Sequence, residues 1–153
     1  MKLEEALQTT KFKNEIHKAG IHILYTAWWF KTIVSTHLKT FDLTHEQYNV
    51  LRILKGKHPT KMCVKDIASR MIEKNSNVPR IIDRLKEKKL ITRTQGSADA
   101  RQTVIQLTKL GIDILASATQ LLENDLSNTI ALTNDEAASL NILLEKLRSK
   151  IKE

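Results

Sequence analysis

The chain has 153 residues with a formal net charge of +8 at pH 7, and it contains one cysteine, four glycines and two prolines. A length of this order suits one domain with its own hydrophobic core, and so few breakers imply long helices with few loops. A single cysteine excludes an internal disulfide framework, and the longest apolar runs are too short to span a membrane.

The N-terminal stretch MKLEEALQTTKFKNE has no apolar core of the kind a secretory signal needs, so a soluble cytoplasmic protein is expected. The positive charge is concentrated: residues 61–101 hold eleven Lys or Arg against five Asp or Glu. A local excess of this kind suits an anionic partner, either nucleic acid or an acidic membrane face.

Residues 1–10 read as a polar, frayed start or a helix extension. From Lys11 to His37, Ile16, Ala19, Ile23, Tyr25, Ala27, Phe30, Ile33 and Val34 recur at helical spacing. Nearly every position from Ile21 to Phe30 is apolar. A helix greasy on more than one side needs more than one neighbour, which is either a second subunit or the centre of a monomer core. Thr44-His45-Glu46-Gln47 spells a capping box for a helix through Val50, Leu51 and Leu54 that stops at Gly56-Lys57-His58-Pro59.

After an extended piece, Thr60 to Met62, a helix is expected over Val64–Met71. A turn over Ile72–Asn75 then leads into a third helix running to about Lys88. Asn75 or Ser76 would cap the third helix, with Pro79 at its third or fourth position. Val78, Ile81, Ile82 and Leu85 form its buried stripe; Ser76, Asn77, Arg80, Asp83, Arg84 and Glu87 face outward. Two β-type runs follow, Leu90–Thr94 and Thr103–Leu107, around a breaker cluster at residues 95–100. The expected fold is mainly α with a small β-wing: a winged helix-turn-helix over residues 44–108. Thr108 can cap a helix from Lys109 to about Ile130, and Thr133-Asn134-Asp135-Glu136 is a second capping box for the last helix.

A basic helix ahead of a hairpin suits a major groove, with the hairpin reaching the backbone or the minor groove. Asn77 and Arg80, near the helix start, carry paired donors or acceptors that match base edges. Lys74, Ser76 and Arg84 suit phosphate contacts, with an ion pair to Asp83, Glu87 or a wing carboxylate as the other reading of Arg84. The five histidines show no HxxxH or Cys–His pairing, so no metal site is expected. There is also no P-loop, no glycine-rich dinucleotide turn and no nucleophile with its base, so no enzyme and no cofactor are expected.

Asp99-Ala100-Arg101 followed by Leu107-Thr108-Lys109-Leu110-Gly111, the run Val78 to Arg93, and Leu43-Thr44 with Gln47, Val50 and Leu51 together resemble the MarR-type (multiple antibiotic resistance regulator) transcription factors. The resemblance covers most of the chain. Two positions depart from the family pattern: Lys89 stands where a Gly is usual, and Pro79 where a Thr or another polar residue is usual.

The resemblance implies one MarR-type domain over 1–153 with dimerisation helices at 11–37 and 109–153. It implies a homodimer that binds double-stranded DNA as an inverted repeat, most often as a repressor. It implies an effector pocket for small aromatic compounds, which His22, Tyr25 and Trp29 on one helical face would line or, alternatively, merely pack. It also makes Arg101 the wing residue at the minor groove or its phosphates, oriented by Asp99; a loop salt bridge is the plainer alternative.

Two other readings stay open. One is a helical protein-interaction module with an incidental basic face. The other is a redox-responsive regulator using Cys63, which stands at or near a helix N-cap. Arg101→Ala is expected to weaken operator binding severalfold with the dimer and melting temperature nearly intact; titration of labelled operator alongside a thermal melt checks this.

Overall fold

The computed structural model describes residues 1–95 and 103–150. Its elements are α1 (Leu3–Leu7), α2 (Glu15–Leu38), a 3-10 turn (Lys39–Phe41), α3 (His45–Lys55), β1 (Met62–Cys63), α4 (Val64–Arg70), α5 (Val78–Glu87), β2 (Ile91–Gln95), β3 (Thr103–Leu107), α6 (Lys109–Thr129) and α7 (Asn134–Arg148). The chain divides into two compact units, Met1–Thr119 and Gln120–Glu153, with the boundary inside α6. Asp99 and Arg101 lie outside the described residues.

In the first unit α2 starts at the Asn14 cap, whose side chain accepts from the His17 amide at 2.8 Å, three residues after Lys11, where the helical spacing was expected to begin. The first ten residues are not merely frayed. They contain α1, with Leu3 buried and Glu4 paired to Lys18 of α2 at 2.6 Å. Only Val34 and Leu38 of α2 are buried. They join Val50, Leu51 and Leu54 of α3, Ile67 of α4 and the inner stripe of α5 in the core.

The capping box of α3 forms as expected. Thr44 Oγ1 accepts from the Gln47 amide at 3.2 Å, and Gln47 Oε1 accepts from the Thr44 amide at 3.1 Å. Gln47 is also buried, and the same oxygen accepts from Lys88 Nζ at 3.2 Å. The box therefore reaches across to the end of α5.

Three strands pair in the antiparallel order β1-β3-β2, rather than the two expected. Met62 stands opposite Ile105, and Cys63 opposite Val104. A two-residue strand shows no alternation, so periodicity could not reveal it. Cys63 ends β1 and caps α4 at once, its Sγ accepting from the Asp66 amide at 3.4 Å.

The start of α5 corrects the sequence reading. The cap is Asn77, not Asn75 or Ser76, and its Oδ1 accepts from the Arg80 amide at 3.2 Å. Asn77 has φ −77° and ψ 80°, and the Val78 amide donates to the Ser76 carbonyl at 2.9 Å. This inverse γ-turn breaks the helix before it can extend backward. Pro79 then occupies the second helical position, where its missing donor would have had no intrahelical acceptor.

The C-terminus of α5 closes without glycine. The Leu90 amide donates to the Leu85 carbonyl at 3.0 Å and the Lys89 amide to the Lys86 carbonyl at 2.9 Å, the paired bonds of a Schellman motif. Lys89 itself takes the left-handed conformation, φ 60°. Thr108 fastens this turn: its hydroxyl donates to the Lys89 carbonyl at 2.8 Å and its amide to the Leu90 carbonyl at 3.1 Å. The same hydroxyl accepts from the Gly111 amide at 3.0 Å, capping α6. A β-carbon on Gly111 would stand 2.0 Å from the Leu90 carbonyl oxygen.

Gly111→Ala is therefore expected to lower stability by about 1–3 kcal/mol, the usual range for forced overpacking. Lys89→Gly is expected to raise it by about 0.5–1 kcal/mol, since a left-handed side chain costs slightly more than glycine's extra entropy. Urea denaturation midpoints at unchanged slope measure both.

Candidate nucleic-acid interface

The inner stripe of α5 is Val78, Ile82 and Leu85, all buried, with Ile81 half-buried. Arg80, Asp83, Arg84 and Glu87 are exposed on the other side. Most of these charges are spoken for. Arg84 Nη1 lies 2.9 Å from Glu87 Oε2, and Arg93 of β2 reaches Asp83 Oδ1 at 3.1 Å. Among the described residues Arg80 has no ion-pair partner. Its guanidinium stands at the N-terminal end of α5, where groove entry would bring side chains to base edges.

Ser76, Asn77, Arg80 and Arg84 line one open groove of about 520 Å³, together with Asn75, Glu73, Lys88 and the first turn of α3. The expected readers are thus brought together, with two changes of role. Asn77 is exposed, but its oxygen is committed to the helix cap, so its free hydrogen-bonding capacity is chiefly the two amide donors. Ser76 Oγ is buried and has no hydrogen-bond partner among the described residues, so it is not presented for the phosphate contact expected of it. Lys74 stays exposed, and its Nζ donates to the Ser69 carbonyl at 2.9 Å.

Local spacing did not disclose two lysines that pair with acids at or beside the groove. Lys31 of α2 pairs with Glu73 and lies 3.5 Å from Glu46. Lys88 lies 3.1 Å from Asp42 Oδ2. The hydrogen bond to Glu73 holds Lys31 above the usual lysine range. Burial pushes the Glu46 carboxyl up, but hydrogen bonds and the Lys31 ammonium leave it net below the usual range. His45, Glu46 and Glu73 offer ligand atoms within 4.8 Å of one another, but the Lys31 ammonium already pairs with both carboxylates.

Of the three residues expected around an effector, one borders a cavity near the N-terminus of α2. His22 borders an open cavity of about 510 Å³ with Lys2, Leu3, Glu4, Glu15, Lys18 and Ala19. Neither Tyr25 nor Trp29 lines it. Tyr25 packs its ring against Trp28 instead, centroids 5.6 Å apart, and Trp29 is exposed. Among the described residues no helix is long and apolar enough to cross a membrane.

Residues 43–103, which run from the residue before the α3 cap to the first residue of β3, match the model of the MarR family. The HTH-type transcriptional regulator SarZ of Staphylococcus saprophyticus is 28% identical over 116 residues, covering 76% of this chain and 77% of SarZ. A cysteine-to-serine mutant of MarR from E. coli, solved in complex with operator DNA, superposes with a TM-score of 0.76 at 25% identity, covering 90% of this chain and 99% of that one. The organohalide-sensing RdhR transcriptional regulator, in its 2,4-dichlorophenol-bound form, superposes with a TM-score of 0.78 at 20% identity, covering 90% of this chain and 81% of that one. Members of this family are transcription regulators, not enzymes. Residues 43–103 thus match the MarR family model, and over most of its length the chain is similar to DNA-binding transcription regulators of that family.

Proposed function

We propose that the chain works as a homodimeric repressor whose two α5 helices read the half-sites of an inverted-repeat operator, and that a small aromatic molecule releases it. Arg80 carries the reading: of the two exposed α5 cations without an ion-pair partner among the described residues, Arg80 and Lys86, it is the one at the helix start, and a guanidinium can grip guanine O6 and N7 together. Asn77 assists through its amide donors. Lys74 and Arg84 contact phosphates, Arg84 by exchanging Glu87 for the backbone. Asp99 and Arg101 act at the wing.

The dimer is supported by apolar surface that this chain leaves uncovered. On α2, Ile16, Leu24 and Trp28 are 83%, 72% and 61% exposed; on α7, Ile142, Leu143 and Leu147 are 65%, 61% and 56% exposed. Apolar side chains exposed in groups of this kind mark a protein–protein contact. We accordingly assign 11–37 and 109–153 to dimerisation within a single MarR-type domain, acting in the cytoplasm on DNA. The RdhR regulator was solved with 2,4-dichlorophenol, which supports a small aromatic effector on this fold, with His22, Tyr25 and Trp29 of α2 as its nearest candidates. The effector acts by favouring a half-site spacing that does not fit the operator.

Selection of bound sequences from random duplexes, with and without a panel of phenols and aromatic acids, tests the whole reading. An inverted repeat with half-sites about one helical turn apart is expected, with affinity falling steeply as salt rises. Arg80→Ala should flatten the preference at one position of each half-site, removing about 1–3 kcal/mol of discrimination. No enrichment, and no salt-sensitive binding to random duplex, would leave the protein-interaction module instead. Retained release by peroxide in Cys63→Ser would dispose of a redox trigger at that thiol.

A further inference from the structure

The turn that leads into α5 is held from two sides. Lys31 of α2 places its ammonium on Glu73 in that turn and 3.5 Å from Glu46 in the first turn of α3. Asn49 of α3 accepts from the Ile72 amide through its side chain at 3.0 Å. Glu73 precedes the Asn77 cap by one helical turn of sequence. At the other end of α5, Lys88 holds Gln47 Oε1 at 3.2 Å and Asp42 Oδ2 at 3.1 Å. Both ends of α5 are therefore fastened near the start of α3, but only the N-terminal fastening extends to α2. That is also the end from which Asn77 and Arg80 project.

The side chains of Lys31 and Glu73 are 44% and 46% exposed. Half-exposed pairs of this kind contribute little to global stability. Their effect is geometric: one ammonium shared by two carboxylates fixes the distance between α2, the start of α3 and the turn.

We infer that Lys31 is a positioning residue for DNA reading, aiming Asn77 and Arg80 through Glu73 and tying that aim to α2. The inference rests on the assignment of α5 as the reading helix. It also supplies a route for regulation. A displacement of α2, by a ligand or by a change at its uncovered apolar face, reaches the cap of α5 through one ion pair.

The sign of one substitution separates this role from simple electrostatics. Glu73 borders the groove that α5 lines. Removing an acid from a surface that meets a polyanion should tighten binding to every duplex, since fewer like charges oppose the phosphates. If Glu73 positions α5, its removal should instead cost sequence-specific binding.

The experiment measures affinity for a duplex selected by the wild-type protein and for a random duplex of the same length, at one salt concentration. Glu73→Gln and Lys31→Met are each expected to lower the selected-to-random ratio by about three- to tenfold, the size of a modest coupling between sites. The double variant should lose no more than either single, because both break the same contact. Lys31→Arg should retain the ratio, and melting temperatures should stay near that of the wild type. If Lys31→Met melts early, Glu73→Gln and Lys31→Arg still decide the matter.

A Glu73→Gln protein that binds both duplexes more tightly with an unchanged ratio overturns the inference, as do single effects that add in the double variant. A wild-type protein that selects no sequence at all is a different result, because it removes the reading of α5 itself.

Discussion

Three elements meet at the carbonyl of Leu90, and little of what α5 presents would be fixed without that meeting. The helix ends there, β2 begins there, and α6 starts against it, with Gly111 so close that no β-carbon fits between. Thr108 closes the junction by donating to two carbonyls of the α5 exit and accepting from the amide of Gly111. Each of these contacts has a backbone group on at least one side, and the one side chain involved is a short hydroxyl, so few rotamers are left through which the joint can relax. The run Leu107-Thr108-Lys109-Leu110-Gly111 is therefore a mechanical joint first. Its place in a DNA-binding protein follows from what it orients.

The charged surface around α5 has a comparable economy. Arg84 and Glu87 answer each other along the helix, Arg93 answers Asp83 from the wing strand, and Lys88 answers Asp42 and Gln47. The cations of this face thus sort into paired ones and unengaged ones, Arg80 and Lys86 on α5 among the latter. This sorting matters more for recognition than net charge does, because long-range attraction brings DNA near but carries no sequence information.

Much of this was legible in the residues. The capping boxes at Thr44 and Thr133 mark helix starts because each pairs a hydroxyl with a side-chain acceptor three residues on, and both form. The extent of α6 and the two strands expected over Leu90–Thr94 and Thr103–Leu107, found over Ile91–Gln95 and Thr103–Leu107, follow from ordinary periodicity. The start of α5 did not, because Asn75, Ser76 and Asn77 are three consecutive cap formers and propensity cannot rank them. Asn77 caps the helix, a γ-turn stands just before it, and the Ser76 hydroxyl is turned inward. The ties that Lys31 and Lys88 make bridge residues 42 and 41 positions apart, and no local pattern announces such contacts. Lys89 was conspicuous as a departure from the family pattern, but only the structure shows that the chain keeps the left-handed turn and accepts the strain.

Cys63 is both the last residue of the shortest strand and the cap of α4. No linker separates the sheet from the first helix of the reading pair. Slack between two parts of a protein comes from residues free to rotate, and here there are none. A tug on β3 would pass through the Met62–Ile105 and Cys63–Val104 pairing straight into the axis of α4. Sheet and helix would then move as one lever, and a shift in either would be felt by the other without delay.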